Sequence, residues 1–149
     1  MDSHGREPDR RVGALPDREG ATVGETFAAA VAAFGAAPFL IAPADRAAGG
    51  TPHILSYDAA AAQVDDLTAA LAQAGYGHGH RIAVLMANRP GMLLVKLACN
   101  RLGISFVPVN PDYRPGETAD LLEDSGADLA LADPALAPQM TDGIAAAGR

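Results

Sequence analysis

The 149-residue chain has no tryptophan, one cysteine and one lysine, and only 5% of it is aromatic. A single cysteine cannot close an intramolecular disulfide, so nothing asks for an oxidising compartment and a cytoplasmic location is expected. The lone lysine, Lys96, and the lack of any basic cluster denser than Arg10-Arg11 leave no row of cations to track phosphates, which argues against a nucleic-acid partner. The most apolar stretch, Met92 to Val109, is broken by Lys96, Asn100, Arg101 and Gly103, short of the about 20 unbroken apolar residues of a membrane span. Aromatics are few and 33 alanines dilute a hydrophobic fraction of 49%, so the expected core is thin.

What remains is a globular composition with uneven charge. The formal net charge is -7. Residues 1–111 carry nine basic and ten acidic side chains, whereas residues 112–149 carry two basic and eight acidic, so the acidity belongs to the last quarter of the chain. Residues 1–20 hold five acids, four arginines and no apolar stretch; this reads as a disordered tail without a secretory signal, ahead of an ordered portion at 21–149.

Along that portion the periodicities predict alternating elements. Glu25 to Phe34 has helix-forming composition, with Thr22 or Gly24 as cap and Gly35 as stop. Two short apolar runs, Pro38 to Pro43 and Ile54 to Tyr57, flank a loop with a Gly49-Gly50 pair and suit a hairpin. Val64, Leu67, Leu71 and Ala74 fall on one face of a helix from Ala59 to Ala74, with Asp58 as expected N-cap. Arg81 to Met86 is an apolar run without polar alternation, as in a strand buried on both faces. Pro90 then opens a helix with an inward stripe of Leu94, Leu97, Ala98 and Leu102. A strand at Ile104 to Val109, a helix at Pro115 to Ser125 and a strand at Asp128 to Ala132 complete the order β-α-β-α-β, a partial doubly wound parallel sheet of the α/β class. Pro108 cannot donate to a ladder and belongs at the end of its strand.

That topology has a direction. Loops after the strands lie at the carboxyl edge, where open α/β sheets bind ligands, so Asn88, Arg89, Asn110 and Arg114 are the candidate ligand-side residues. The competing account is that the asparagines are turn residues bonded to nearby backbone and the arginines are solvated charges. His78 and His80 supply too few ligands for a metal. Cys99, beside Ala98 in an amphipathic helix, reads as a small buried hydrophobe rather than a nucleophile. Glu117, Asp120, Glu123 and Asp124 read as a solvated helix face. Neither G-x-x-x-x-G-K-[ST] nor a helix-opening G-x-G-x-x-G is present, so no phosphate cradle is expected.

Six short motifs occur in a fixed order: Ser56-Tyr57, Gly75 to Ile82, Asn88-Arg89-Pro90, Arg101 to Ile104, Val107-Pro108-Val109-Asn110-Pro111 and Ser125-Gly126-Ala127. In this the stretch from Ser56 to Asp133 resembles the amino-terminal part of the AMP-forming acyl-CoA synthetases, the adenylate-forming, AMP-binding family, and Glu25 to Asp45 does so more weakly. Asp112 to Glu117 tilts the resemblance toward acyl-CoA ligases. His80, Gly91 and Ser56 depart from the family's usual Asp, Glu or Asp, and Thr. The resemblance implies a parent reaction using ATP, Mg and CoA. It also implies that the family's phosphate loop, its Tyr-Gly-x-Thr-Glu stretch, its ribose-binding Asp and its C-terminal Lys lie beyond Arg149, so no catalytic or cofactor-binding residue is carried onto this chain. The expectation is an amino-terminal fragment that does not catalyse alone, with the missing remainder of the ligase as its partner. The rival expectations are a non-catalytic partner-binding module and a small flavodoxin-like ligand-binding domain.

Overall fold

The computed structural model describes residues 20–43 and 51–148. The tail expected at 1–20, apart from Gly20, and the Gly49-Gly50 turn lie outside the described residues. The chain divides within a helix into two compact units, 1–65 and 66–149.

In the first unit α1 spans Val23–Phe34. Thr22 Oγ1 accepts from the Glu25 amide at 3.1 Å while the Glu25 carboxylate accepts from the Thr22 amide at 2.9 Å, a reciprocal cap that satisfies two otherwise orphan donors. Gly35 ends the helix at φ +43° and its amide bonds Val31 O. Strands β1 (Pro38–Ala42) and β2 (His53–Ser56) pair antiparallel, with Ile41 opposite Ile54. Phe39 joins the rings of Phe27 and Tyr57, at centroid separations of 5.3 and 4.7 Å, and Phe34 stacks on Tyr57 at 5.3 Å. The scarce aromatics are thus concentrated here, where geometry-specific ring contacts add to area burial.

Helix α2 runs Tyr57–Gln73. Its start corrects the expected cap: Ser56 Oγ accepts from the Ala59 amide at 3.2 Å, which leaves Asp58 in the first turn, where its charge favours the helix dipole. The buried stripe is Ala60, Val64 and Leu71, with Leu67 half-buried; Ala74 lies past the helix and is exposed.

In the second unit β3 (Arg81–Leu85) is the middle strand of a parallel sheet ordered β4-β3-β5, with β4 at Ser105–Pro108 and β5 at Leu129–Ala132. Ile82, Ala83, Val84 and Leu85 are all 0% exposed, as the unalternating apolar run requires. Helix α3 (Pro90–Leu102) buries Leu94, Val95, Leu97, Ala98 and Cys99. Helix α4 (Pro115–Ser125) buries Thr118, Ala119 and Leu122, and a further helix, α5 (Ala137–Ala146), packs on it through Met140 and Gly143. Sequence reasoning did not anticipate α5. Gly103 (φ +68°) and Gly126 (φ +59°) close α3 and α4 in the left-handed region that suits a helix stop.

Pro108 stands at the last position of an edge strand. Ser105 and Val109 donate to His80 O and Val84 O of the middle strand, at 2.8 and 2.9 Å. Residues alternate sides along a strand, so the proline nitrogen faces away from β3 and no ladder bond is lost.

Candidate functional site at the carboxyl edge of the sheet

Three chain segments leave the sheet at its carboxyl edge. The first follows β3 and carries Ala87, Asn88 and Arg89; the second follows β4 with Asn110; the third follows β5 with Asp133. Asp133 is only 5% exposed. One of its carboxylate oxygens accepts from the Ala87 amide at 3.0 Å and the other pairs with Arg89 Nη2. Its own amide donates to Leu85 O at 3.0 Å. A buried carboxylate is tolerable only with such partners, and here they tie the β3 loop to the end of β5.

The second loop is held from two directions. Asn110 Oδ1 accepts from the Asp112 amide at 3.0 Å, and Gln139 of α5 donates from Nε2 to Pro111 O and Tyr113 O at 2.8 and 3.0 Å. Arg114 stands at the N-cap of α4, where its amide donates to Glu117 Oε2 at 2.8 Å.

Two cavities of about 470 Å³ each open beside these loops. They share Asn88, Met92 and Pro108. One continues along Arg89, Leu93, Lys96 and Phe106, the other along Met86, Val109, Asn110 and Tyr113. The structure therefore brings Asn88 together with Arg89 at one groove and with Asn110 at the other. Arg114 lines neither. The polar lining groups that sequence reasoning passed over are Lys96 and Tyr113; Asp133 was passed over too, although it follows β5 as Asn88 and Asn110 follow β3 and β4, and the same edge rule points to it.

The other chemistry-bearing groups have structural surroundings. The His78 ring packs where a Gly103 side chain would stand, 2.8 Å from that Cβ position, and His80 Nδ1 lies 3.2 Å from the Gly77 amide. Both sit at the opposite edge of the sheet from the grooves. Cys99 is fully buried, and that burial pushes its thiol above its ordinary value of 9.0, which disfavours the thiolate. Among the described residues no group of three or more His, Cys, Asp or Glu could hold a metal ion, and no helix is long and apolar enough to cross a membrane.

Comparison with known proteins places this architecture. The AMP-binding enzyme family matches residues 27–148. The chain belongs to that family. It is 35% identical over 86 residues to the indoleacetate–CoA ligase of Aromatoleum aromaticum, covering 58% of this chain and 17% of the ligase. It is 30% identical over 97 residues to the PKS-NRPS hybrid synthetase ATPKS of Aspergillus niger, covering 65% and 5%. The chain thus spans between a twentieth and a sixth of the length of these curated relatives. Among solved structures, the N-terminal domain of FACL13 from Mycobacterium tuberculosis superposes with a TM-score of 0.70 at 22% identity, covering 85% of this chain and 30% of that one. The Klebsiella oxytoca NpsA N-terminal subdomain in complex with 3-hydroxybenzoyl-AMSN gives 0.67 at 23% identity, covering 75% and 26%. At such identities the likeness establishes the fold alone. The α/β parallel arrangement and the family expected from the six ordered motifs are both found.

Proposed function

We propose that this chain is the amino-terminal scaffold of an ATP-dependent, AMP-forming acyl-CoA ligase. In the parent reaction a carboxylate attacks the α-phosphorus of ATP, giving an acyl-adenylate and pyrophosphate; the CoA thiol then displaces AMP to give the thioester. The observation that carries the reading is the family match over 27–148, with the CoA ligase relative and the acyl-CoA-type loop Asp112 to Glu117 in support.

The carboxyl edge does not fit Mg-ATP as it stands. Its buried carboxylate, Asp133, is committed to Ala87 and Arg89, and Asn110 Oδ1 to Asp112. No step of adenylation is therefore assigned to these residues. ATP, Mg and CoA belong to the whole ligase, and the chain's partner is the remainder of that enzyme. Asn88, Arg89, Asn110 and Arg114 are read as frame residues on its ligand side. Without preorganised donors for the charge that develops on the phosphates, residues 1–149 alone should show background rates; even one such donor is worth about 10²–10³ in rate. A cytoplasmic location suits the single buried Cys99.

The test is carboxylate-dependent exchange of labelled pyrophosphate into ATP by the purified chain, with calorimetric titration of ATP, CoA and flavin. No exchange and no saturable binding is the expected result. Turnover, or tight binding of any of the three, overturns the scaffold reading. Reading the DNA downstream of codon 149 adds an independent check: an in-frame Ser/Thr/Gly-rich loop with Lys supports it. The hybrid synthetase relative favours a second reading, an adenylating segment of a PKS-NRPS-type enzyme; formation of acyl-CoA by the complete protein would decide for the ligase.

A further inference from the structure

We draw no further inference here: the strongest candidate, the groove of about 470 Å³ between α3 and β4 that Met92, Leu93, Lys96, Phe106 and Pro108 line, belongs to the carboxyl-edge site already described, and nothing in the structure shows what covers its open side.

Discussion

Adding one methyl group at Gly143 should destabilise the second unit, against the intrinsic preference of a helix for alanine. Gly143 lies in the interior of α5, where replacing Gly by Ala ordinarily gains about 1 kcal/mol. Here the new Cβ would stand 2.4 Å from Thr118 Cγ2 and 2.7 Å from Thr118 Cβ, far inside van der Waals contact. Thr118 cannot yield easily, because it is 0% exposed and a β-branched residue in a helix has few χ1 choices. The relief must come from α5 moving outward, which loosens Met140 and Ile144 from the core shared with Leu85 and Leu122. Overpacking costs about 1–3 kcal/mol and an approach of 2.4 Å belongs to the upper part of that range, so after subtracting the helix gain of about 1 kcal/mol a net loss of roughly 1–2 kcal/mol is expected. Urea unfolding followed by far-UV circular dichroism would show it as a fall in midpoint of about 0.5–1 M at unchanged slope. The internal control is Gly116→Ala in the first turn of α4, where an added Cβ meets nothing within 4 Å and stability should hold or rise. Thr118→Ala in the Gly143→Ala background should recover part of the loss, because it removes Cγ2 and also Oγ1, a buried hydroxyl oxygen without a hydrogen-bond partner among the described residues. A Gly143→Ala chain as stable as the parent would refute the claim that α5 is seated on α4 by this contact.

Asp133→Asn should cost about 1–2 kcal/mol in the same assay: the amide can still accept from Ala87, but the ion pair with Arg89 is lost, and Arg89 is 51% exposed, which discounts the usual penalty for breaking a buried pair. An unchanged midpoint would show that the loop does not depend on the pair. Cys99 should resist iodoacetamide in the folded chain at neutral pH and react readily once unfolded. Because burial raises its thiol above the ordinary value, the folded state holds the proton more tightly than the unfolded one, so this group's contribution is present below that ordinary value and lost as pH rises through the raised one. Alkylation of native protein as fast as of a free thiol would refute the burial, and stability that rises with pH through the thiol range would refute the sign.

Much of the frame was legible because its signals are local. An apolar run of six without alternation at Arg81 to Met86 has few alternatives to a two-faced buried strand, and Pro90 with Gly103 brackets a helix from both ends. Asp58 misled as a cap because Asp and Ser are both good N-caps and the two stand only two positions apart; Ser56 won, since its hydroxyl reaches the third amide of a helix that begins at Tyr57. Helix α5 escaped because its seam is Met140, Gly143 and Ile144, and the middle member is a glycine, which carries no hydropathy to count; its role becomes visible only against Thr118, 25 residues away in the chain. The loops at the carboxyl edge were placed by topology alone, but what holds them is non-local. Nothing near Ala87 in the sequence indicates that Asp133 will accept its amide, or near Tyr113 that Gln139 will reach its carbonyl.

Those long-range bonds also show what the polar groups at this edge are engaged in. At a catalytic centre, polar groups are held by neighbours so that their remaining valences point at substrate. At this edge the holding groups and the held backbone account for the donors and acceptors identified: Asp133 with Ala87 and Arg89, Asn110 with Asp112, Gln139 with Pro111 and Tyr113, Glu117 with Arg114. The two grooves combine apolar surface from Met86, Met92, Phe106 and Pro108 with Asn88, Arg89, Lys96, Asn110 and Tyr113. Substitutions at Asp133 or Gln139 should therefore be read in the stability and exchange behaviour of the loops that these side chains hold.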